Sequence, residues 1–185
     1  LKTYKPNSSW EENCAIKPFF LKEMRNKLRG PLLYVDIDAI IHHDPWVYLN
    51  KYESDIAVSI RSKGNLASGT IFINDTEGAR KSLNNWSEFQ KNNPLMWDQD
   101  TLLKVIQINH NKKVKDFSVD RLPENLIYVF DNHPKYFYGP KYIEHFQISR
   151  EVKKDIYSKN KKGRRSLKRR YKYKNKNLYS DNLNN

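Results

Sequence analysis

The residues with the clearest chemical use are two carboxylates, Asp36 and Asp38, flanking Ile37 at the end of the apolar run Leu32-Leu33-Tyr34-Val35. In α/β proteins, ligands sit where strands leave the sheet at their C-terminal edge. Two carboxylates two positions apart at such an edge can turn toward one divalent cation. Oxygen donors suit Mg²⁺ or Mn²⁺, and Mg²⁺ usually shares its shell with phosphates. The ordinary alternatives are solvated acids at a strand end, or an acid capping the next turn.

Three further segments carry usable chemistry. In Ser68-Gly69-Thr70-Ile71-Phe72-Ile73-Asn74, a small-residue pair enters a strand. A glycine there lets a ligand approach the backbone closely, although an ordinary tight turn reads the same way. In Trp97-Asp98-Gln99-Asp100, Asp98 reads as a helix cap and Asp100 as a first-turn acid. A functional role needs one of them to face the cleft of the Asp36/Asp38 pair. In Ile143-Glu144-His145-Phe146-Gln147-Ile148-Ser149-Arg150, a neutral imidazole can bind a metal and Arg150 can clamp phosphate oxygens. His42, His43, His110 and His133 lack a ligand-like setting.

The elements that must position these residues are legible from periodicity. Ile16, Phe19, Phe20, Met24 and Leu28 share a helical face over residues 14–28, and Gly30-Pro31 stops that helix. The continuous run Leu32–Val35 predicts a strand buried on both faces. Ile56–Ile60 and Thr70–Ile73 predict two more strands. Thr76 or Asp75 can cap a helix bearing Ala79, Leu83, Trp86 and Phe89, which ends at Asn92-Asn93-Pro94. A further helix runs from Asp98 through Ile106, and Leu126–Phe130 predicts another strand. The alternation predicts an α/β fold with a mostly parallel sheet flanked by helices.

Composition excludes several classes. The chain has 185 residues, enough for one ordinary domain. Apolar runs reach only about five residues, far short of the ~20 that span a bilayer. A single cysteine, Cys14, excludes a disulfide framework and a cysteine-rich zinc site. The net charge of +13 is uneven. Residues 151–185 hold 13 basic residues and three acids, leaving 21 basic against 18 acidic residues in the rest. The expected organisation is therefore a domain over 1–150 and a basic tail over 151–185. The tail suits a polyanion or an anionic membrane surface, or is a solubilising terminus. The polar start and lone cysteine suggest a cytoplasmic location.

Taken in order, these motifs resemble the GT-A family of nucleotide-diphospho-sugar transferases, the metal-dependent glycosyltransferases. The resemblance covers about residues 10–150. It rests on Tyr34-Val35-Asp36-Ile37-Asp38 at a strand end, the Gly-containing strand Ser68–Asn74, the acidic helix start Trp97–Asp100 and the late His145.

The resemblance implies a GT-A-like fold, a UDP- or GDP-sugar donor, an acceptor yet to be defined, and Mn²⁺ or Mg²⁺. Asp38 and His145 would hold the metal, and Asp36 would contact the metal or the donor ribose. Ser68, Gly69, Asn74 and Arg150 would line the donor. Asp98 or Asp100 would touch a sugar hydroxyl or act as base on the acceptor. The family's nucleotide pocket is normally built from a βαβ unit upstream of the Asp-x-Asp, whereas here 35 residues precede Asp36. Three expectations follow: part of the N-terminal nucleotide-binding unit is missing from this chain, that half is reduced or supplied by a partner, or the domain is non-catalytic. The rival functions are a structural or binding protein on a transferase-like fold, and a metal-dependent nuclease using Asp36, Asp38, Asp98 and Asp100 together.

Overall fold

A proline divides the first helical stretch. Pro18 lacks an amide hydrogen and fits only a helix's first turn. The chain accordingly forms α1 (Trp10–Ala15) and restarts as α2 (Lys17–Lys27) after Ile16, where periodicity alone predicts one helix. A computed structural model describes residues 10–61, 64–129 and 139–146. These belong to the unit Leu1–Phe146; Arg150 and the basic tail lie in the second unit, Gln147–Asn185, outside the described residues. At the end of α2, the buried Arg25 guanidinium donates to the carbonyls of Leu28 (2.6 Å) and Gly30 (2.7 Å). Gly30 takes φ 75°, a backbone conformation open to glycine at little cost, and turns the chain into β1 (Leu32–Val35).

The main sheet has the order β1-β4-β3-β5, with β3 (Ile56–Ile60), β4 (Leu66–Ile73) and β5 (Val119–Arg121). A smaller sheet has the order β2-β7-β6, with β2 (Ala39–Ile41), β6 (Tyr128–Val129) and β7 (Ile143–His145). The α/β layering agrees with the sequence, but the strand directions correct the expected mostly parallel sheet. β1–β4, β3–β4 and β2–β7 are antiparallel, while β3–β5 and β6–β7 are parallel. For β3 and β4 the reason is a short connection. Five residues, 61–65, join β3 to β4, whereas a parallel crossover needs about a dozen.

The sheet divides the apolar interior. On one side, Ile56, Val58, Ile71 and Ile73 pack with Leu21 of α2, with Ala79, Leu83 and Trp86 of α4 (Glu77–Asn92), and with Leu102 and Val105 of α5 (Asp98–His110). On the other, Ala57 and Phe72 pack with Leu122, Leu126, Ile143 and with Leu49 of α3 (Trp46–Leu49). β1 contributes Leu32 and Tyr34 to the first cluster and Leu33 and Val35 to the second. Both faces are thus covered, as an unbroken apolar run requires, yet each residue is only half-buried because β1 ends the strand order among the described residues. The strand expected over Leu126–Phe130 is shorter: a 3-10 turn at Glu124–Leu126 precedes β6, and Phe130 is outside the described residues.

Candidate functional site

β1 delivers Asp36 into a tight turn, closed by the Ala39 amide donating to the Asp36 carbonyl at 3.2 Å. Ile37, at the tip, is fully exposed, and Asp38 follows. The chain then enters β2, whose partner β7 sets His145 opposite Ala39. The Phe146 amide donates to the Asp38 carbonyl at 3.0 Å and fastens β7 to the turn. One ligand atom each from Asp36, Asp38 and His145 lies within 4.8 Å of the others.

β4 supplies the floor. Val58 of β3 faces Ile71, but the next residue, Ser59, faces Ala67, so the pairing skips Ser68, Gly69 and Thr70. Irregular strand segments of this kind re-aim groups next to functional sites. Here the Gly69 carbonyl accepts the Asp36 amide at 2.8 Å, which locks the Asp-x-Asp turn to the skipped segment. A Cβ on Gly69 would lie 2.9 Å from Cε1 and 3.1 Å from Nδ1 of His145, and 3.2 Å from Oδ2 of Asp36. Glycine therefore keeps open the gap between two of the three ligand groups.

Lys17 is a residue of this candidate site that sequence reasoning missed. Its ammonium lies 2.7 Å from Asp98 Oδ2 and 3.1 Å from Asp36 Oδ1, and it donates to the Ser68 carbonyl and Oγ, both at 3.2 Å. Burial opposes its charge, but Asp98 foremost, then Tyr34 and Asp36, hold its pKa above the ordinary lysine value. Tyr34 donates its hydroxyl to Asp36 Oδ1 at 2.7 Å. Burial raises the pKa of that phenol, so it keeps the proton it donates. One oxygen of Asp36 is thus held by Lys17 and Tyr34, while the other borders the gap at Gly69. His145 is 1% exposed, and burial lowers its pKa against the pull of Asp36 and Asp38. A neutral ring is the form that binds metal. Two carboxylates and an imidazole form a donor set that fits Mn²⁺ or Mg²⁺.

The other site expectations fall out unevenly. Asp98 begins α5 but is not its cap, since Trp97 occupies that position and the carboxylate goes to Lys17 and to Ser68 Oγ at 2.6 Å. That chain of contacts does bring Asp98 to the Asp36 side of the cleft. Asp100 lies in the first turn of α5, half-buried. Ser68 is 5% exposed, and its hydroxyl serves Asp98 and Lys17. Asn74 lies away from the Asp36, Asp38 and His145 cluster. It sits just beyond the far end of β4, five positions from Gly69, a span of roughly 17 Å in a strand. Its side chain donates to the Ser54 carbonyl and accepts from the Asp75 amide, so it belongs to the scaffold. Arg150 lies outside the described residues.

The family model for nucleotide-diphospho-sugar transferases matches residues 21–158. The chain belongs to that family. Curated protein sequences give no match. Among solved structures, the chain is similar to a glycosyltransferase involved in glycosylation of the major capsid of PBCV-1. That likeness has TM-score 0.59 at 8% identity, over 79% of this chain and 75% of that one. It shows a GT-A-type fold for this member of the nucleotide-diphospho-sugar transferase family. An active-site mutant of LgtC is similar at TM-score 0.48 and 14% identity, over 69% of this chain. The bifunctional glycosyltransferase WbbM in its apo form is similar at TM-score 0.46 and 13% identity, over 78% of this chain. The match spans 57% of the LgtC chain and 32% of the WbbM chain. Among the described residues, no helix is long and apolar enough to cross a membrane.

Proposed function

We propose that this family member transfers a sugar from a nucleotide-diphospho-sugar to an acceptor, with a divalent cation held by Asp36, Asp38 and His145. The observation that carries the reading is their convergence within 4.8 Å, from a strand end, a turn and a second sheet, around a gap that only glycine leaves open. A cation bound there would neutralise charge growing on the leaving diphosphate, which is the main electrostatic demand of the reaction.

The protein groups divide the remaining work. Tyr34 and Lys17 orient Asp36 through one oxygen. Gly69 lets the donor come close to the backbone of β4. Lys17 and Ser68 engage Asp98 through Oδ2, which orients the start of α5, and contact with a sugar hydroxyl or the acceptor falls to Asp98 Oδ1 or to Asp100. The same contacts argue against a nuclease. A carboxylate cluster around metals would need Asp98 facing a cation, and here a lysine ammonium already stands between Asp98 and Asp36. The basic segment 151–185 adds a salt-sensitive attraction for an anionic partner.

The test is thermal stability of the full chain with UDP or GDP, each with and without Mn²⁺. A ligand that binds only the folded state raises the melting temperature by mass action. The expected result is a rise that needs nucleotide and Mn²⁺ together, with the responding nucleotide naming the donor. No rise with either pair would overturn the reading in favour of a non-catalytic domain.

A further inference from the structure

A neutral imidazole has one lone pair and one N–H, so the partner of one nitrogen decides what the other can offer. In His145, Nδ1 faces the cleft, 3.8 Å from Asp38 Oδ1. Nε2 faces inward, 2.9 Å from the hydroxyl oxygen of Thr70 on β4. Thr70 is 0% exposed and His145 1%, so this contact is made without bulk water.

A hydroxyl can either donate or accept. When Thr70 donates to Nε2, the ring proton sits on Nδ1 and points at the carboxylates, an arrangement suited to an empty cleft. When Thr70 accepts from Nε2–H, Nδ1 presents a lone pair to the cleft. We propose that Thr70 is a positioning residue that accepts the Nε2 proton of His145 when a divalent cation binds, making Nδ1 the third protein ligand. The inference rests on reading Asp36, Asp38 and His145 as that cation's site. Its physical basis is that a ligand histidine needs a partner for its second nitrogen to fix the tautomer and ring orientation. The location supports it, because Thr70 belongs to the segment of β4 that the β3 pairing skips, next to the glycine that holds the gap open.

The experiment compares the parent with Thr70→Val, Thr70→Ser and Asp38→Ala, all as the full chain. Mn²⁺ affinity is read by titration. The His145 tautomer is read by nitrogen-15 NMR of the parent, metal-free and with Zn²⁺ as a diamagnetic probe. Valine keeps the shape and removes the hydroxyl, so Mn²⁺ affinity should fall about 10- to 100-fold, the usual effect of losing such a partner. Serine should restore it. The loaded parent should carry its ring proton on Nε2. A merely structural Thr70 would lower the melting temperature of Thr70→Val and leave its Mn²⁺ affinity at the parent value. The inference alone is overturned if Mn²⁺ binding needs Asp38 but not Thr70, or if the loaded ring is protonated on Nδ1. If Mn²⁺ binding is indifferent to Asp38, the site reading falls and takes the inference with it. The tautomer measurement needs no variant, so a misfolded Thr70→Val protein leaves the inference open to refutation.

Discussion

β1 and β4 have acids at both ends, and the two ends use them in opposite ways. Where β1 begins, Asp55 and Asp75 are both fully engaged. Asp55 accepts from the Ser118 amide (2.6 Å), the Ser118 hydroxyl (2.8 Å) and the Thr76 hydroxyl (2.5 Å). Asp75 accepts from the Gly30 amide at 2.8 Å and from Arg80 at 2.5 Å, and lies 3.4 Å from Arg25. Where β1 stops, Asp98 is engaged by Lys17 and Ser68, but the Asp36/Asp38 pair is held back. Among the described residues, the Asp38 carboxylate meets only His145, at 3.8 Å, and Asp36 keeps one oxygen at the Gly69 gap. Folding normally pairs buried and half-buried polar groups. Asp36 is paired through one oxygen only and Asp38 has no close donor among the described residues, which leaves electrostatic work for a cation to do. The contrast between the ends therefore separates scaffold from candidate site more sharply than acid content does.

The strongest way to break this comparison is to remove one acid from the site end. Asp38→Ala should weaken Mn²⁺ binding on the order of 100-fold or more, about 2.7 kcal/mol, since a ligand matters at least as much as its outer partners. The ligand-free melting temperature should not fall, because Asp38 anchors no scaffold contact through its side chain. Equal Mn²⁺ titrations of variant and parent would place the cation elsewhere.

The two ends each have a glycine against a carboxylate, which gives a matched pair of smaller perturbations. A Cβ on Gly78 would clash with the Asp55 carboxylate, which three hydrogen bonds pin in place. Helix propensity favours alanine in α4 by about 1 kcal/mol, while overpacking costs about 1–3 kcal/mol. The clash should win, so Gly78→Ala should lower the melting temperature and leave Mn²⁺ affinity alone. Gly69→Ala should do the reverse, weakening Mn²⁺ binding about tenfold, or roughly 1.4 kcal/mol. Identical stability losses from both, with metal binding intact in both, would erase the distinction between the ends.

What the sequence revealed follows the same division. Asp36-x-Asp38 was legible because it ends an apolar run, and Gly69 because a glycine inside a strand marks close approach. Asp98 was legible as a helix start, but its partner was not. Lys17 is 19 residues from Asp36 and 81 from Asp98, and within a helical pattern it looks like any surface lysine; only the packing of α2 against the sheet brings it to both acids. His145 was legible as an imidazole able to bind a metal, but its place as third ligand came from the family resemblance, since a lone histidine carries little local signal. Strand direction failed for a different reason. Apolar runs report two-sided burial, which an antiparallel β4 lying between β1 and β3 satisfies as well as a parallel strand would. Asn74 is five positions from Gly69 in sequence, which is a long distance along an extended strand.

The smallest effect we predict concerns pH and belongs to the scaffold end. Burial tends to raise the Asp55 pKa, but the Ser118 amide first, then the Thr76 and Ser118 hydroxyls, outweigh it and hold the group below its ordinary value. A depressed folded-state pKa means that the unfolded chain binds the proton more tightly. The stabilisation is therefore complete above the unfolded value near ~3.9 and is lost as pH falls through the folded one. Asp55→Asn keeps an acceptor oxygen and removes the charge. Hydrogen bonds to a charged acceptor exceed neutral ones by about 1 kcal/mol, and partial solvent screening at this half-buried site reduces that figure. Denaturant titrations should show the variant less stable by about 1 kcal/mol or less between pH 5 and 8, with the gap closing from about pH 4 downward. A gap that widens in acid would mean that the charge on Asp55 opposes the fold, and the contrast between a satisfied end and a waiting end would have to be drawn from the site alone.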